Sequence, residues 1–175
     1  MRENNFPTNK TLQHGYMSIE MLFVIIVLLI GMGFALYNGW SMMGSSDVNN
    51  EQGNVGQLIA NTRKLKGSTG YGASGTNLIT QLSAIRGLPN MSFSNSQLYN
   101  SWSGEVTVVS NGMTFTVTEN GLPQDACVTL STKVGRGQKV TTSINGGTAV
   151  SGEVASATAT SGCSSDSNTV AWTAY

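Results

Sequence analysis

The residue types that usually perform catalysis are sparse in this sequence and poorly spaced for it. The chain of 175 residues contains one histidine, His14, two cysteines, Cys127 and Cys163, and nine acidic residues. A serine or cysteine nucleophile normally needs a histidine base beside it, and His14 lies directly before a long apolar run. The sequence contains no phosphate-binding loop and no metal-ligand cluster. We therefore predict no enzyme activity, no catalytic residue, no cofactor and no bound metal.

Acidic residues of the second half of the chain could in principle pair for acid–base catalysis. They are scattered among predicted loops and strand ends, where carboxylates are usually solvated. We predict surface positions for all five: Glu105, Glu119, Asp125, Glu153 and Asp166.

One carboxylate has unusual neighbours. Glu20 directly precedes a run in which every residue from Met21 to Ile30 is apolar, and it follows Gly15 by five positions. An unpaired carboxylate in apolar surroundings is costly and is normally neutralised or paired. If the chain were cut after Gly15, the new α-amino group of Tyr16 in a neighbouring copy could pair with Glu20. An incidental charge at a membrane interface is the alternative for this residue.

The apolar segment itself allows three interpretations. As a helix, residues 16–37 would extend ~33 Å at 1.5 Å per residue, enough to cross a hydrocarbon core of about 30 Å. The segment could be a secretory signal removed at the small-x-small pattern of Gly31 and Gly33, or an ordinary single-pass anchor. It could also be a helix retained after cleavage at Gly15. The third interpretation explains more residues, because it gives both Gly15 and Glu20 a role.

The segment His14-Gly15-Tyr16-Met17-Ser18-Ile19-Glu20, followed by the apolar run, resembles the prepilin-peptidase site of type IV pilins. Tyr16 fits the type IVb class, whose mature chains begin with a residue other than phenylalanine. Chain length, the Ser/Thr/Gly-rich second half and the late cysteine pair are similar to major pilins of thin type IVb pili made by enteric bacteria and conjugative plasmids. The specific motif covers residues 10–40, and the rest matches in layout.

The resemblance implies cleavage between Gly15 and Tyr16, N-methylation of Tyr16, and assembly of identical subunits into a helical filament through their N-terminal helices, with Glu20 in an assembly role. Gly31 and Gly33 lie where pilin helices lose regularity in filaments. The implied partners are other copies of the chain, prepilin peptidase, the pilus assembly machinery and the inner membrane before assembly. The ligand on a host or recipient cell is unknown.

Charge and cysteine content indicate where the chain resides. Nine basic and nine acidic residues balance, so no basic footprint for nucleic acid is present. Arg2 and Lys10 precede the apolar helix, which predicts a cytoplasmic N-terminus and an exported C-terminal domain. In an oxidising compartment Cys127 and Cys163 should form a disulfide. We expect a prepilin in the inner membrane of a Gram-negative bacterium with its C-terminal domain periplasmic, followed by an extracellular pilus.

The predicted fold is α+β, with a long N-terminal helix packed against an antiparallel sheet. We divide the chain into a leader, 1–15, a long helix, 16–66, whose first part, 16–37, is the transmembrane and filament-core segment, and a globular head, 67–175. Six residues mark the buried face of the later helix at spacings typical of an amphipathic helix: Val48, Val55, Leu58, Ile59, Thr62 and Leu65.

Inside the head, the Asn111-Gly112 pair between alternating runs predicts a β-hairpin. Helices are predicted over 77–86 and after Pro123, a second hairpin over 139–150, and a final strand in the last eight residues. Residues 90–103 are predicted to be irregular, and 151–165 flexible.

These features predict a structural subunit, the major pilin of a type IVb pilus, that forms a filament for adhesion, aggregation or mating-cell contact. One alternative is a minor pilin or secretion pseudopilin of the same fold. The other is a membrane-anchored exported binding domain that does not polymerise.

Overall fold

The computed structural model describes residues 19–136 and 139–175, without the side chains of residues 34–45. The chain divides into two compact units, Met1–Met42 and Met43–Tyr175. Helix α1, Ile19–Arg63, has 45 residues and contributes to both units. It ends three residues before the predicted end at Lys66. The first three residues of the predicted helix, 16–18, lie outside the described part.

The second unit is an α+β domain built on one seven-stranded antiparallel sheet. This confirms the predicted fold class of a long N-terminal helix with an antiparallel sheet. The strands, in spatial order, are β1 Ser92–Ser94, β2 Gln97–Tyr99, β3 Glu105–Ser110, β4 Phe115–Leu122, β7 Asn168–Ala174, β5 Val140–Ile144 and β6 Val150–Ser151. Three helices complete the domain: α2 Ile79–Ala84, α3 Gln124–Val134 and α4 Ser156–Gly162.

Alternation along the central strands gives the sheet one buried face and one half-exposed face. Along β4, Phe115 and Val117 are buried while Thr116 and Thr118 are half-buried. The same alternation in β7 buries Trp172. A period of two places all these buried side chains on one side of the sheet. Threonine dominates the opposite face, where the hydroxyls of Thr116 and Thr173 are hydrogen-bonded across strands at 2.9 Å.

The buried face of the later part of α1 matches the predicted stripe. Val55, Leu58, Ile59 and Thr62 are fully buried and belong to, or border, the same core as the sheet. Leu65 lies beyond the helix end and is partly buried against that core. Burial of these side chains explains why this helix section forms despite several glycines, since tertiary packing outweighs helix propensity.

The predicted β3–β4 hairpin is present, with a longer turn than expected. Ser110 pairs with Phe115, so four residues form the turn. The amide of Asn111 donates to the carbonyl of Thr114 at 2.8 Å, and Gly112 adopts a φ of +84°. That positive φ explains the glycine at this position.

Short elements are present in the segment predicted to be irregular, 90–103, and in the segment predicted to be flexible, 151–165. Residues 92–99 form the β1–β2 hairpin, where Asn95 and Ser96 both have positive φ, as a two-residue turn of type I′ requires. Within the segment predicted to be flexible, 151–165, helix α4 is present and buries Ala159. The prediction that 90–103 is irregular was wrong, because short polar strands can be held by pairing with their neighbours rather than by their own hydrophobic pattern.

Candidate functional site

The first section of α1 exposes a continuous apolar surface. Every residue from Ile19 to Gly33 is exposed, including Phe23 at 70% and Ile30 at 68%. Gly31 leaves a shallow notch bordered by Val27, Leu28 and Met32. Monomeric soluble proteins rarely expose apolar patches of this extent, and such a surface normally contacts a partner or lipid.

Glu20 interrupts this surface at its N-terminal end. It is the second residue of α1 and lies in its first turn, where a carboxylate interacts favourably with the helix dipole. It is exposed in the single chain. The predicted cleavage residues, Gly15 and Tyr16, lie outside the described residues.

Gly31 and Gly33 lie within unbroken α-helix in the single chain. A Cβ added at either position would meet no described atom within 4 Å. The helix itself therefore does not require these glycines, each of which costs about 1 kcal/mol relative to alanine. Their predicted role in the filament stays a prediction.

Over the residues that the structure describes, none of the helices combines the length and the apolarity needed to cross a membrane. In the predicted transmembrane part, 16–37, the first three residues and the side chains from residue 34 onward are outside the description.

A disulfide joins the two cysteines of the head. Cys127 on α3 and Cys163, directly after α4, are bonded, with 5.8 Å between their Cα atoms and a sequence separation of 36. Both are fully buried. Ala159 is the one buried residue of α4. The disulfide therefore explains how this helix is held against the rest of the domain.

Two glutamates lie in the core of the second unit, and for one of them the prediction of a surface position was wrong. Glu119 was expected on the surface but is fully buried on β4; Glu51 on α1 is fully buried too. Glu119 follows Phe115 and Val117 at a period of two. This alternation predicts that the side chain of residue 119 is buried. The prediction of a surface position followed the residue type, glutamate, instead of the alternation. Likewise Glu51 lies three residues after Val48, on the buried helical face.

The loop between β2 and β3 supplies the donors for Glu51. The backbone N–H and the hydroxyl of Ser101 donate to Oε2 of Glu51 at 3.2 and 2.7 Å. Asn100 fixes this loop: its side-chain carbonyl accepts from the amides of Trp102 and Gly104, and its side-chain amide donates to the carbonyl of Asn120.

A β-bulge after Glu119 brings this loop close to β4. The register shifts between Glu119 and Leu122, and Gly121 in the bulge has a φ of +69°. A Cβ on Gly104 would lie only 1.7 Å from the carbonyl oxygen of Asn120. Glycine is therefore required at position 104 for the loop to approach the bulge.

Burial dominates the chemistry of Glu119. Its pKa is raised well above the ordinary value, first because burial disfavours the charged form, and then because the nearby carboxyl of Glu51 disfavours a second negative charge. Each of these effects favours a protonated carboxyl. Glu119 therefore differs from a glutamate side chain that is surrounded by water.

The other acidic residues predicted at the surface are exposed: Glu105, Asp125, Glu153 and Asp166. Glu153 forms an exposed ion pair with Arg136, which lowers the pKa of the carboxyl through a hydrogen bond and charge attraction. Across residues 19–136 and 139–175, no three acidic, histidine or cysteine side chains cluster as metal ligands would.

The basic residues at and directly after the end of α1 contact nearby groups of the second unit. Arg63 donates through Nε to the carbonyl of Tyr175 at 3.2 Å, and Lys64 donates to the side chain of Asn61 at 2.8 Å. The ammonium of Lys66 lies 5.8 Å from the ring centre of Tyr71. These contacts give Arg63, Lys64 and Lys66 a structural role at the end of α1.

An N-terminal helix with an exposed apolar section and a later section buried against an antiparallel sheet defines a pilin-type subunit. Residues 45–175 match the family model described as PilS N terminal. The chain therefore belongs to this family of type IVb pilins. The match begins inside α1, so the motif around Gly15 and Glu20 lies outside it. A comparison with curated proteins gives no matching relative.

Proposed function

We propose that the chain is the major structural subunit of a type IVb pilus and polymerises through the N-terminal section of α1. The observation that carries this proposal is the exposed apolar surface from Ile19 to Gly33. In a filament, copies of this surface pack on one another and leave water, which stabilises the assembly by about 25 cal/mol per Å² of apolar surface buried. Membership of the PilS N-terminal family supports a pilin subunit.

The first step of assembly is removal of the leader, 1–15. Cleavage between Gly15 and Tyr16 creates an α-amino group four residues before Glu20, and N-methylation of Tyr16 preserves its positive charge. Before assembly the apolar segment 16–37 holds the subunit in the inner membrane, with the head in the periplasm. Prepilin peptidase and the assembly machinery act on the chain at this stage.

The second step pairs Glu20 with the amino group of a neighbouring subunit. In the single chain Glu20 is exposed at the start of an otherwise apolar surface. When that surface packs, the carboxylate loses its water and needs an opposite charge. An amino terminus from the next copy is the nearest repeating cation, since α1 contains no lysine or arginine before Arg63.

The filament then displays the head for adhesion, aggregation or mating-cell contact. A Cys127–Cys163 disulfide suits an oxidising extracellular location. Low charge and many threonines on the half-exposed face of the sheet are compatible with dense packing of identical heads.

Shearing filaments from cells and quantifying their components tests this function. We expect this chain to be the main component and deletion of its gene to abolish filaments. A trace amount in filaments built from another subunit would favour the minor pilin or pseudopilin. Recovery of all of the chain from the envelope as single molecules would favour the non-polymerising anchored domain.

A further inference from the structure

Glu51 and Glu119 are two fully buried carboxyl groups on different elements, α1 and β4, and pilus assembly gives neither a role. Replacing a buried ionised pair of like charge by apolar residues would relieve a large cost. Their presence therefore needs a chemical explanation within the head itself.

The two carboxyl groups differ in the hydrogen bonds that they accept. Oε2 of Glu51 accepts from both the backbone amide and the hydroxyl of Ser101. Oε1 of Glu51 and both carboxyl oxygens of Glu119 are buried and find no donor among the described residues. If both groups were ionised, three buried oxygens would lack hydrogen bonds. A proton on one oxygen of Glu119 lets that carboxyl donate to Oε1 of Glu51, which leaves only the other oxygen of Glu119 without a partner among these three.

The strands on either side of Glu119 and the loop that contacts Glu51 carry no basic side chain that could substitute for this proton. The cross-strand partners of Glu119 are Val106 on β3 and Val170 on β7. Strands β3, β4 and β7 and the 100–104 loop contain no lysine or arginine, and the first basic residue on α1 is Arg63, three turns beyond Glu51. The other described acidic and phenolic side chains on α1, β2 and β3 and after β7 are exposed Glu20 and half-buried Asp47 on α1, half-buried Tyr99 on β2, exposed Glu105 on β3 and exposed Tyr175 after β7.

We propose that Glu119 retains a proton at neutral pH and donates it to Oε1 of Glu51, so that a proton-dependent clasp fastens α1 to the sheet. Ser101 completes the clasp by fixing the orientation of the Glu51 carboxylate. Loss of the proton leaves two like charges facing each other in the core and weakens the contact between Met43–Arg63 and β4.

The sign of the pH dependence follows from this arrangement. The folded head binds a proton on Glu119 that the unfolded chain releases at the ordinary glutamate pKa, about 4.3. Stability from the clasp is complete below that value and is lost as the pH rises through the raised pKa of Glu119. The only histidine, His14, lies in the predicted leader, so few other groups titrate between about pH 5 and 9.

Thermal unfolding of the full chain in detergent between pH 5 and 9 tests the clasp. We expect the melting temperature of the wild type to fall as the pH rises. Glu119→Gln should unfold at the same temperature throughout this range, because its amide donates to Glu51 without titrating. Glu105→Gln, which removes an exposed carboxyl on the neighbouring strand, should keep the wild-type pH dependence.

Infrared spectroscopy detects the protonated carboxyl directly, so this test does not depend on how a substitution changes stability. At neutral pH the wild type should show the carbonyl band of a protonated carboxyl, and Glu119→Gln should lack it. Absence of that band in the wild type, or parallel pH curves for the wild type and Glu119→Gln, would overturn the proposal. Stabilisation of the wild type, but not of Glu119→Gln, by added Ca²⁺ would also overturn the proposal, because it would show that the two carboxylates bind a cation rather than share a proton.

Discussion

Three glutamates lie next to apolar residues, and the surroundings of each carboxyl group differ. Glu20 is exposed in the single chain and, in our proposal, acquires a cation only when subunits assemble. Glu51 is buried with two donors from Ser101. Glu119 is buried with its pKa raised, so that the neutral form is favoured. The three residues have the same side chain, so their differences in exposure, hydrogen bonding and protonation come from their surroundings.

Glu20→Ala tests the proposed assembly pair. Removing one partner of a buried ion pair leaves the other charge unpaired, at a cost of about 3–5 kcal/mol. Filament yield should therefore fall by at least about tenfold, while cleavage of the leader continues. Quantification of sheared filaments and of processed subunit in the envelope measures both effects.

Two controls accompany this variant. Glu105→Gln, on the exposed surface of the head, should assemble normally. Glu20→Asp keeps the charge with a shorter side chain and should recover part of the yield. Normal piliation by Glu20→Ala would refute the assembly role.

Cys127→Ser tests the contribution of the disulfide to the head. The chain-entropy relation for a loop of 36 residues gives a stabilisation of about 4 kcal/mol. We expect the free energy of unfolding, measured by urea denaturation, to fall by roughly this amount. The wild type under reducing conditions should behave like the variant, and Ser164→Ala at an exposed neighbouring position should behave like the oxidised wild type. Equal stability of Cys127→Ser and wild type under oxidising conditions would contradict the account.

At the scale of elements, α1 combines two surfaces that the sequence distinguishes well. The section 19–33 is apolar on all sides, whereas Val48, Val55, Leu58 and Ile59 recur at helical spacing. The structure buries that second stripe in the core of the head. One helix therefore serves two types of contact, one inside its own domain and one, in our proposal, between subunits.

Leu58→Ala tests the packing of the later α1 section on the sheet. The side chain is fully buried, and truncating a buried leucine costs about 2–5 kcal/mol. The free energy of unfolding of the head should fall by that amount in a urea titration. Gln57→Ala changes the exposed neighbour on the same helix and should alter stability by less than about 0.5 kcal/mol. A similar small effect for both variants would show that α1 does not stabilise the head.

Local patterns predicted the strong elements of the head. Alternating runs on either side of Asn111-Gly112 predicted β3 and β4, and apolar residues four apart, Ala126, Leu130 and Val134, predicted α3. The final strand was equally clear from Val170 and Trp172. Each of these elements buries its own regular set of apolar side chains, which is why their pattern is readable in the sequence.

The elements that sequence reasoning missed lack such a set. Strands β1 and β2 together contain one fully buried residue, Leu98, and α4 contains Ala159 alone. Their formation depends on pairing with β3 and on the disulfide to α3. The strand order, with β7 between β4 and β5, is likewise set by contacts between residues distant in sequence, for which a local pattern has no signal.

At the scale of the whole molecule, the sequence motif and the family match concern different parts of the chain. The family model matches residues 45–175, whereas the features proposed to guide processing and assembly lie before residue 38. The two observations are therefore independent, and both indicate a type IV pilin. The domain division 1–15, 16–66 and 67–175 stays a prediction for the processed subunit.

The mature N-terminus of the filament subunit tests the central claim most directly. Mass spectrometry of the main protein in sheared filaments should identify this chain beginning at N-methylated Tyr16, with the segment 16–37 retained. That result is predicted because the same helix must survive processing to form the core of the polymer. A secreted product beginning at Phe34, which lacks the apolar segment, would contradict the account.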